Sequence, residues 1–305
     1  MKSKRLRIPW LLVFLLLSAC QVGKAPTPFS TSSLPASSPS PTAFLPQSAI
    51  ASQRPEAISP IAPSPTESTT VTITIVYDNN EYDPRLTTAW GFSAVVEFMG
   101  HTILFDTGGD SPTLLSNMSI LDVDLAAIEM VVLSHAHGDH TGGLEGMLAQ
   151  GIQPTVHILP SFSQNFKDRI GRSTTVAEVT PGQLLSPEIY TTGEMGTSIP
   201  EQALVINTSR GLIVITGCAH PGVVQMAERA HELLDQPLYL VLGGFHLGQM
   251  SLSEIDSIVA GFRRLGVEKT APCHCTGDLA VRRFNQEYSD DFIQAGVGRV
   301  IVIEP

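Results

Sequence analysis

Basic residues are scarce in this sequence, with 18 Lys and Arg against 29 Asp and Glu over 305 residues. Four of the basic ones (Lys2, Lys4, Arg5 and Arg7) sit at the very start, so the chain beyond Cys20 holds 14 against 29, a formal charge of −15. A surface of that sign repels phosphate backbones, which excludes nucleic acid as a large partner, and it offers no basic patch for adhesion to anionic lipid. Cysteine is nearly absent. Only Cys218, Cys273 and Cys275 follow Cys20. An odd number excludes a disulfide framework and leaves open one bridge from Cys218 to Cys273 or Cys275. The apolar run Ile8–Leu17 falls short of the roughly 18 residues that a transmembrane helix needs.

What that start does contain is a leader. A basic segment without acids, a short apolar run and the small residues Ser18 and Ala19 before Cys20 form a secretory signal. Leu17-Ser18-Ala19-Cys20 resembles a bacterial lipobox, which implies cleavage before Cys20 and lipidation of that cysteine. From residue 21 to 70, Pro, Ser and Thr make up 27 of 50 positions, with no Trp or Tyr. Such a segment cannot bury enough apolar surface to offset its chain entropy. The expected organisation is therefore a lipoprotein signal over 1–20, a disordered linker over 21–70 and one folded domain over 71–305. The expected place is outside the cytoplasm, on a membrane through the lipid anchor. About 235 residues are enough for a sizeable core.

The folded part opens with the β-branched run Val71–Tyr77, and Gly91–Phe98 and His101–Phe105 read as the next strands, turning at Met99-Gly100. Ile128–Leu133 reads as a short buried strand and Leu144–Gln150 as a helix. Ala203–Asn207 and Leu212–Thr216 form a hairpin, followed by an amphipathic helix over Val223–Leu234 and a strand over Leu238–Leu242. A helix over Ser253–Leu265, capped at Ser251 or Ser253, and a last strand Val300–Ile303 complete the pattern. Strands leading each half without strict βαβ alternation favour layered sheets with helices outside, an α/β class.

The chemistry concentrates in Ser134-His135-Ala136-His137-Gly138-Asp139-His140-Thr141-Gly142-Gly143. Three imidazoles and a carboxylate within six positions, directly after a buried strand, converge on one loop. Imidazole and carboxylate suit Zn²⁺, and similarly Mn²⁺ or Fe²⁺. Three later segments carry further candidates: Thr216-Gly217-Cys218-Ala219-His220, Gly243-Gly244-Phe245-His246-Leu247 and Pro272-Cys273-His274-Cys275-Thr276-Gly277. His101, His157 and His231 lack such settings and read as ordinary surface histidines. Cys273 and Cys275, two apart in an extended segment, are expected on the same side.

Over residues 71–305 these motifs resemble the metallo-β-lactamase superfamily, whose His-x-His-x-Asp-His pattern is matched in full. The three later segments resemble its branch of metal-dependent hydrolases, which is related to the archaeal dihydropterin–ribofuranosylaminobenzene phosphate synthase. The resemblance implies a four-layer αβ/βα sandwich with two divalent ions, zinc first and manganese or iron as alternatives. It gives His135, His137 and His220 to one metal, and Asp139, His140 and His274 to the other. It gives Asp106, in Phe105-Asp106-Thr107-Gly108, the task of positioning a ligand. Many members bridge their metals with an aspartate where this chain has Gly217-Cys218, which leaves Cys218 open between bridging ligand and packed thiol.

The implied function is a metal-dependent hydrolase attacking a carbonyl or phosphoester of a small molecule with a metal-bound hydroxide. Asp139 would orient the nucleophile. His246 stands open between ligand, substrate contact and proton donor to the leaving group. The alternatives are a synthase-like transferase and a metal-binding surface protein without catalysis; the sequence sets no oligomeric state. The anchor is directly testable. Cys20→Ala should move the protein from the membrane pellet to the soluble fraction; retention after a carbonate wash would place the anchor elsewhere.

Overall fold

A computed structural model describes residues 69–305. The leader, Cys20 and the linker up to residue 68 lie outside the described residues. Ordered structure begins where β-branched residues do, with strand β1 at Val71–Tyr77, whose alternate side chains Val71, Ile73 and Ile75 are buried. A hairpin follows, β2 (Ser93–Phe98) and β3 (His101–Phe105), in antiparallel register from Ala94–Phe105 to Phe98–His101. Met99 and Gly100 both take positive φ at the turn (48° and 76°), the twist that suits a two-residue hairpin.

From there the chain alternates. Helix α1 (Ser111–Ile120) leads to β4 (Met130–Val132), then the short helices α2 (Gly138–Thr141) and α3 (Leu144–Leu148) to β5 (Thr155–Ile158). Helix α4 (Gln164–Ile170) leads to β6 (Val176–Glu178). β3, β4, β5 and β6 are parallel neighbours, so the first sheet reads β13-β1-β2-β3-β4-β5-β6, closed on its outer side by β13 (Val300–Ile303).

The second half repeats the plan. β7 (Leu184–Ser186), β8 (Ile189–Thr191), β9 (Leu204–Thr208) and β10 (Gly211–Thr216) pair antiparallel. Helix α5 (Val223–Leu234), β11 (Leu238–Gly244), helix α6 (Leu252–Arg264) and β12 (Lys269–Cys273) then add parallel strands, and helix α7 (Asp278–Tyr288) follows. This sheet reads β12-β11-β10-β9-β8-β7. Each sheet is mixed, and its parallel part alternates strand and helix, which corrects the sequence expectation of no strict alternation.

Three apolar cores separate the layers. Ile73, Val96, Phe105, Ile206, Ile215 and Leu242 lie between the sheets. Leu114, Met118, Leu144 and Met147 cover the first sheet from outside, and Met226, Val259, Phe262 and Phe284 cover the second. The expected four-layer αβ/βα sandwich is therefore the observed fold. No helix among the described residues is long and apolar enough to cross a membrane.

Helix ends obey local rules. Ser251 caps α6 with a full capping box, its hydroxyl accepting from the Glu254 N–H while Glu254 accepts from the Ser251 N–H. In the outer layer Phe262 is fully buried, with ring centroids 5.5 Å from Phe245 and 5.3 Å from Phe284. Phe262→Ala should therefore cost about 3–5 kcal/mol, read as a lower urea midpoint at unchanged slope. A loss below about 1 kcal/mol would show that this layer repacks freely.

Candidate metal centre

The motif loops leave the carboxyl ends of parallel strands, where irregular backbone can gather side chains from several elements. Asp106 follows β3, Ser134 and His135 follow β4, Cys218 and His220 follow β10, His246 follows β11 and His274 follows β12. Four of these residues or their neighbours (Asp106, Ala219, His246 and His274) take positive φ of 49° to 58° without being glycine. Strain of that kind persists only where the surroundings fix it, and it collects at functional sites.

The side chains converge. His135 Nε2 lies 3.0 Å from His137 Nδ1, and the rings of both approach His220 at centroid distances of 4.9 and 5.0 Å. His220 Nε2 is buried with no protein partner. Beside this trio, Asp139 Oδ2 is 3.6 Å from His140 Nε2 and 3.5 Å from His274 Nε2. Cys218 Sγ is 3.3 and 3.4 Å from the same two nitrogens. Donors bound tetrahedrally at the usual Zn–N and Zn–S lengths sit roughly 3.3–3.7 Å apart. The spacing, the orphaned His220 nitrogen and the donor types all fit divalent metal. Two donor groups result, His135–His137–His220 and Asp139–His140–Cys218–His274, and Cys218 and His220 meet again in a third group with His246.

Outer partners aim the ligands. Asp106, fully buried, accepts from the Ser134 N–H, the Ser134 hydroxyl and His140 Nδ1, each at 2.7 Å. His140 Nδ1 is thereby occupied by the carboxylate, and Nε2 keeps its lone pair for the centre. Asn79 does the same for His274, with Oδ1 3.0 Å from Nδ1 while its amide donates to the His274 carbonyl. His135 Nδ1 meets Ser134 Oγ at 2.9 Å.

Electrostatics follow from burial. Desolvation, with the neighbouring imidazoles, pushes His135 far below the ordinary histidine value and His220 down to about 4. Both therefore present neutral nitrogens. Burial alone would raise Asp139, but the hydrogen bond from His274 and the charges of His140 and His274 hold it below the usual carboxylate range.

Every residue that the sequence nominated as a ligand lies in this cluster. Asp106 bonds to His140. Cys218 stands within the second donor group rather than apart from it. His246 is exposed at the rim, its ring 4.3 Å from His220. Cys218, Cys273 and Cys275 are free thiols, so the bridge that the sequence left open is absent. Cys273 and Cys275 do not share a side: His274 turns the chain, so that Cys273 meets Asp78 while Cys275 points at the Cys218 carbonyl. His101 pairs with Glu129 and His231 caps the Gln236 carbonyl at the surface. His157 is instead buried, because β5 is an interior strand.

Sequence reasoning missed Glu201 and Asn79. Glu201 is fully buried, and its carboxylate accepts the N–H groups of Gly217, Cys218, Ala219 and His220 at 2.8–3.1 Å. One side chain thus shapes the whole loop that carries Cys218 and His220. Next to it, Gln202 donates to the Leu133 carbonyl and ties this loop region to the first sheet.

Residues 91–225 match the model of the metallo-β-lactamase superfamily. A Methanocaldococcus jannaschii protein named 7,8-dihydropterin-6-methyl-4-(β-D-ribofuranosyl)-aminobenzene-5'-phosphate synthase is 28% identical over 75% of this chain and 95% of its own. The crystal structure of Tm1679, a metal-dependent hydrolase of the β-lactamase superfamily, is 27% identical with a TM-score of 0.66, covering 77% of this chain and all of that one. The metallo-β-lactamase fold protein YhfI from Bacillus subtilis superposes at a TM-score of 0.57 with 12% identity, over 77% of this chain and 100% of its own, a likeness of fold alone. Over residues 91–225 the chain is similar to the metallo-β-lactamase superfamily, and it has that superfamily's fold. It is an enzyme of that fold, hydrolase-like or synthase-like, and the fold implies divalent metal.

Glu201→Gln tests the loop support. The amide nitrogen would face the His220 N–H or one of its neighbours, donor against donor. Metal affinity, read by competition with a chelator, should fall by roughly 10–100-fold. A change under about threefold would show that the loop holds its shape without the carboxylate.

Proposed function

We propose that this chain is a two-metal hydrolase acting on the carbonyl or phosphoester of a small molecule, with zinc as the resident ion. The observation that carries this reading is the paired donor set, three histidines beside Asp139, His140, Cys218 and His274. A thiol among the donors favours zinc over manganese. In this reading Cys218 completes the second site, at the place where many relatives use a carboxylate.

When bound, divalent ions of this kind lower the pKa of water toward neutrality and polarise the oxygen of the electrophile. The chain's own residues set up the rest. Asp106 and Asn79 lock His140 and His274 in one tautomer and orientation. Asp139, held ionised by its histidine neighbours, orients the attacking water. His246, on the exposed rim beside His220, donates a proton to the leaving group. A half-buried carboxylate that orients water and an exposed imidazole that donates suit departure of the product toward solvent.

The second reading is a synthase-like transferase, favoured by the name of the M. jannaschii relative. There the same donors would grip a diphosphate leaving group while an amine or aromatic carbon attacks. The leader favours hydrolysis, because pterin condensation draws on cytoplasmic metabolites and a lipidated Cys20 would put the enzyme outside the cytoplasm. A binding-only protein would not need the complete donor set.

The test is a panel of lactones, thioesters and phosphodiesters offered to the zinc-loaded protein. Turnover should appear with at least one class and should fall by several orders of magnitude in His274→Ala, because one ion then lacks a ligand. Cys218→Ser should lose zinc from the same site. Full zinc retention in Cys218→Ser would make it a packed thiol, and turnover only with an added amine acceptor would favour the transferase.

A further inference from the structure

We propose that Trp90 is the substrate platform of this centre, and that the substrate presents a planar, uncharged ring to it. The inference rests on the metal-hydrolase reading and names the part of the substrate that the chain recognises.

Trp90 is the only tryptophan among the described residues, and 60% of its surface is exposed. A single exposed apolar side chain is ordinary on any protein. Two observations set this one apart. Its indole lies at the metal centre, with its ring centroid 5.0 Å from that of His274 at a tilt of 52°. Its backbone is also fixed on both sides. The Ala89 N–H donates to the Asp78 carbonyl, and the Phe92 N–H donates to the Asp139 carbonyl. Between them Gly91, at φ 144°, packs so closely that a Cβ would stand 2.4 Å from the Asp139 carbonyl oxygen. The loop that shows the indole to solvent is thus bolted to the loop that carries the ligands. A rigid, exposed aromatic face needs little further ordering when a flat partner stacks on it.

Charge then narrows the partner. The ion pairs of the cluster are all carboxylate with histidine: Asp106–His140, Asp139–His140, Asp139–His274 and Glu201–His135. Glu201 and Asp78 are buried as well, and loss of water pushes both upward from the ordinary carboxylate value. Among the described residues, no lysine or arginine bonds to any of these groups; Arg85–Asp83, Lys167–Glu178, Arg283–Asp256 and Lys269–Asp291 pair elsewhere, while Arg282 lines a pocket beside Asn79. Asp139, held ionised, offsets part of the charge that two divalent ions would bring, and no lysine or arginine bonds to the donor set. An uncharged ring on the indole meets neither obstacle.

The experiment uses two amides that the enzyme need not turn over: 3,4-dihydro-2-quinolone, whose ring is fused to benzene, and 2-piperidone, which lacks the aromatic ring. Both are titrated into the zinc-loaded full chain and followed by ligand-observed NMR, with zinc content measured on each sample. Wild type should bind the quinolone roughly tenfold more tightly than the piperidone. Trp90→Phe should keep that preference within about threefold, and Trp90→Ala should abolish it, both with full zinc. Equal binding of the two amides by wild type, or a preference unchanged in Trp90→Ala, would overturn the proposal. Zinc loss in a folded Trp90→Ala would overturn it too, by making the indole a cover for His274. Failure of the hydrolase reading shows separately, as no turnover of any lactone, thioester or phosphodiester while the amide preference persists.

Discussion

A carboxylate sealed away from water must be met by hydrogen bonds or opposite charge, because burying it bare costs far more than a fold can spare. Asp106 is such a carboxylate, and much of the centre follows from how it is satisfied. It sits at the end of β3 in the left-handed region and takes the Ser134 N–H, the Ser134 hydroxyl and His140 Nδ1. Those bonds draw the loop after β4 against the end of β3 and turn His140 Nε2 into the open space. Glu201 repeats the solution from the second sheet, gathering the N–H groups of residues 217–220. Two buried carboxyl groups, one on each sheet, thus shape the two loops that hold most of the donors.

The division of labour follows from burial. His135, His140 and His274 lie inside, tied through Nδ1 to Ser134, Asp106 and Asn79. Such donors are fixed in place by the chain itself, which suits a site that holds metal without reorganising. His246 and Trp90 stand on the exposed side. Beside them His137 is exposed and Asp139 half-buried, while Asp106 and Glu201 stay at the back.

Local chemistry made part of this readable from the sequence. Val71–Tyr77 and the Val223–Leu234 helix follow from their periodicity, and both appear with the expected bounds. The His135–His140 cluster was visible because its donors are contiguous, and His220 and His274 because each follows an apolar strand. Asn79 and Glu201 were not visible. Asn79 acts on a residue 195 positions away, and Glu201 sits in an unremarkable Pro-Glu-Gln stretch, so only the folded chain gives either a partner. β6, β7 and β8 have three residues each, too few to show a period. His157 looked like a surface residue because nothing local reveals that β5 lies between two other strands. Cys273 and Cys275 diverge because His274, at φ 49°, breaks the extended geometry that their spacing suggested.

The central claim is that these donors hold two adjacent ions, one of them bound to sulfur. Zinc-edge X-ray absorption of the metal-replete full chain, with zinc counted on the same sample, tests it most directly. The account predicts two zinc ions per chain, a metal–metal vector near ~3.5–4 Å and about one sulfur shared over the two ions. One zinc per chain, in a shell of nitrogen and oxygen with no metal–metal vector, would contradict it.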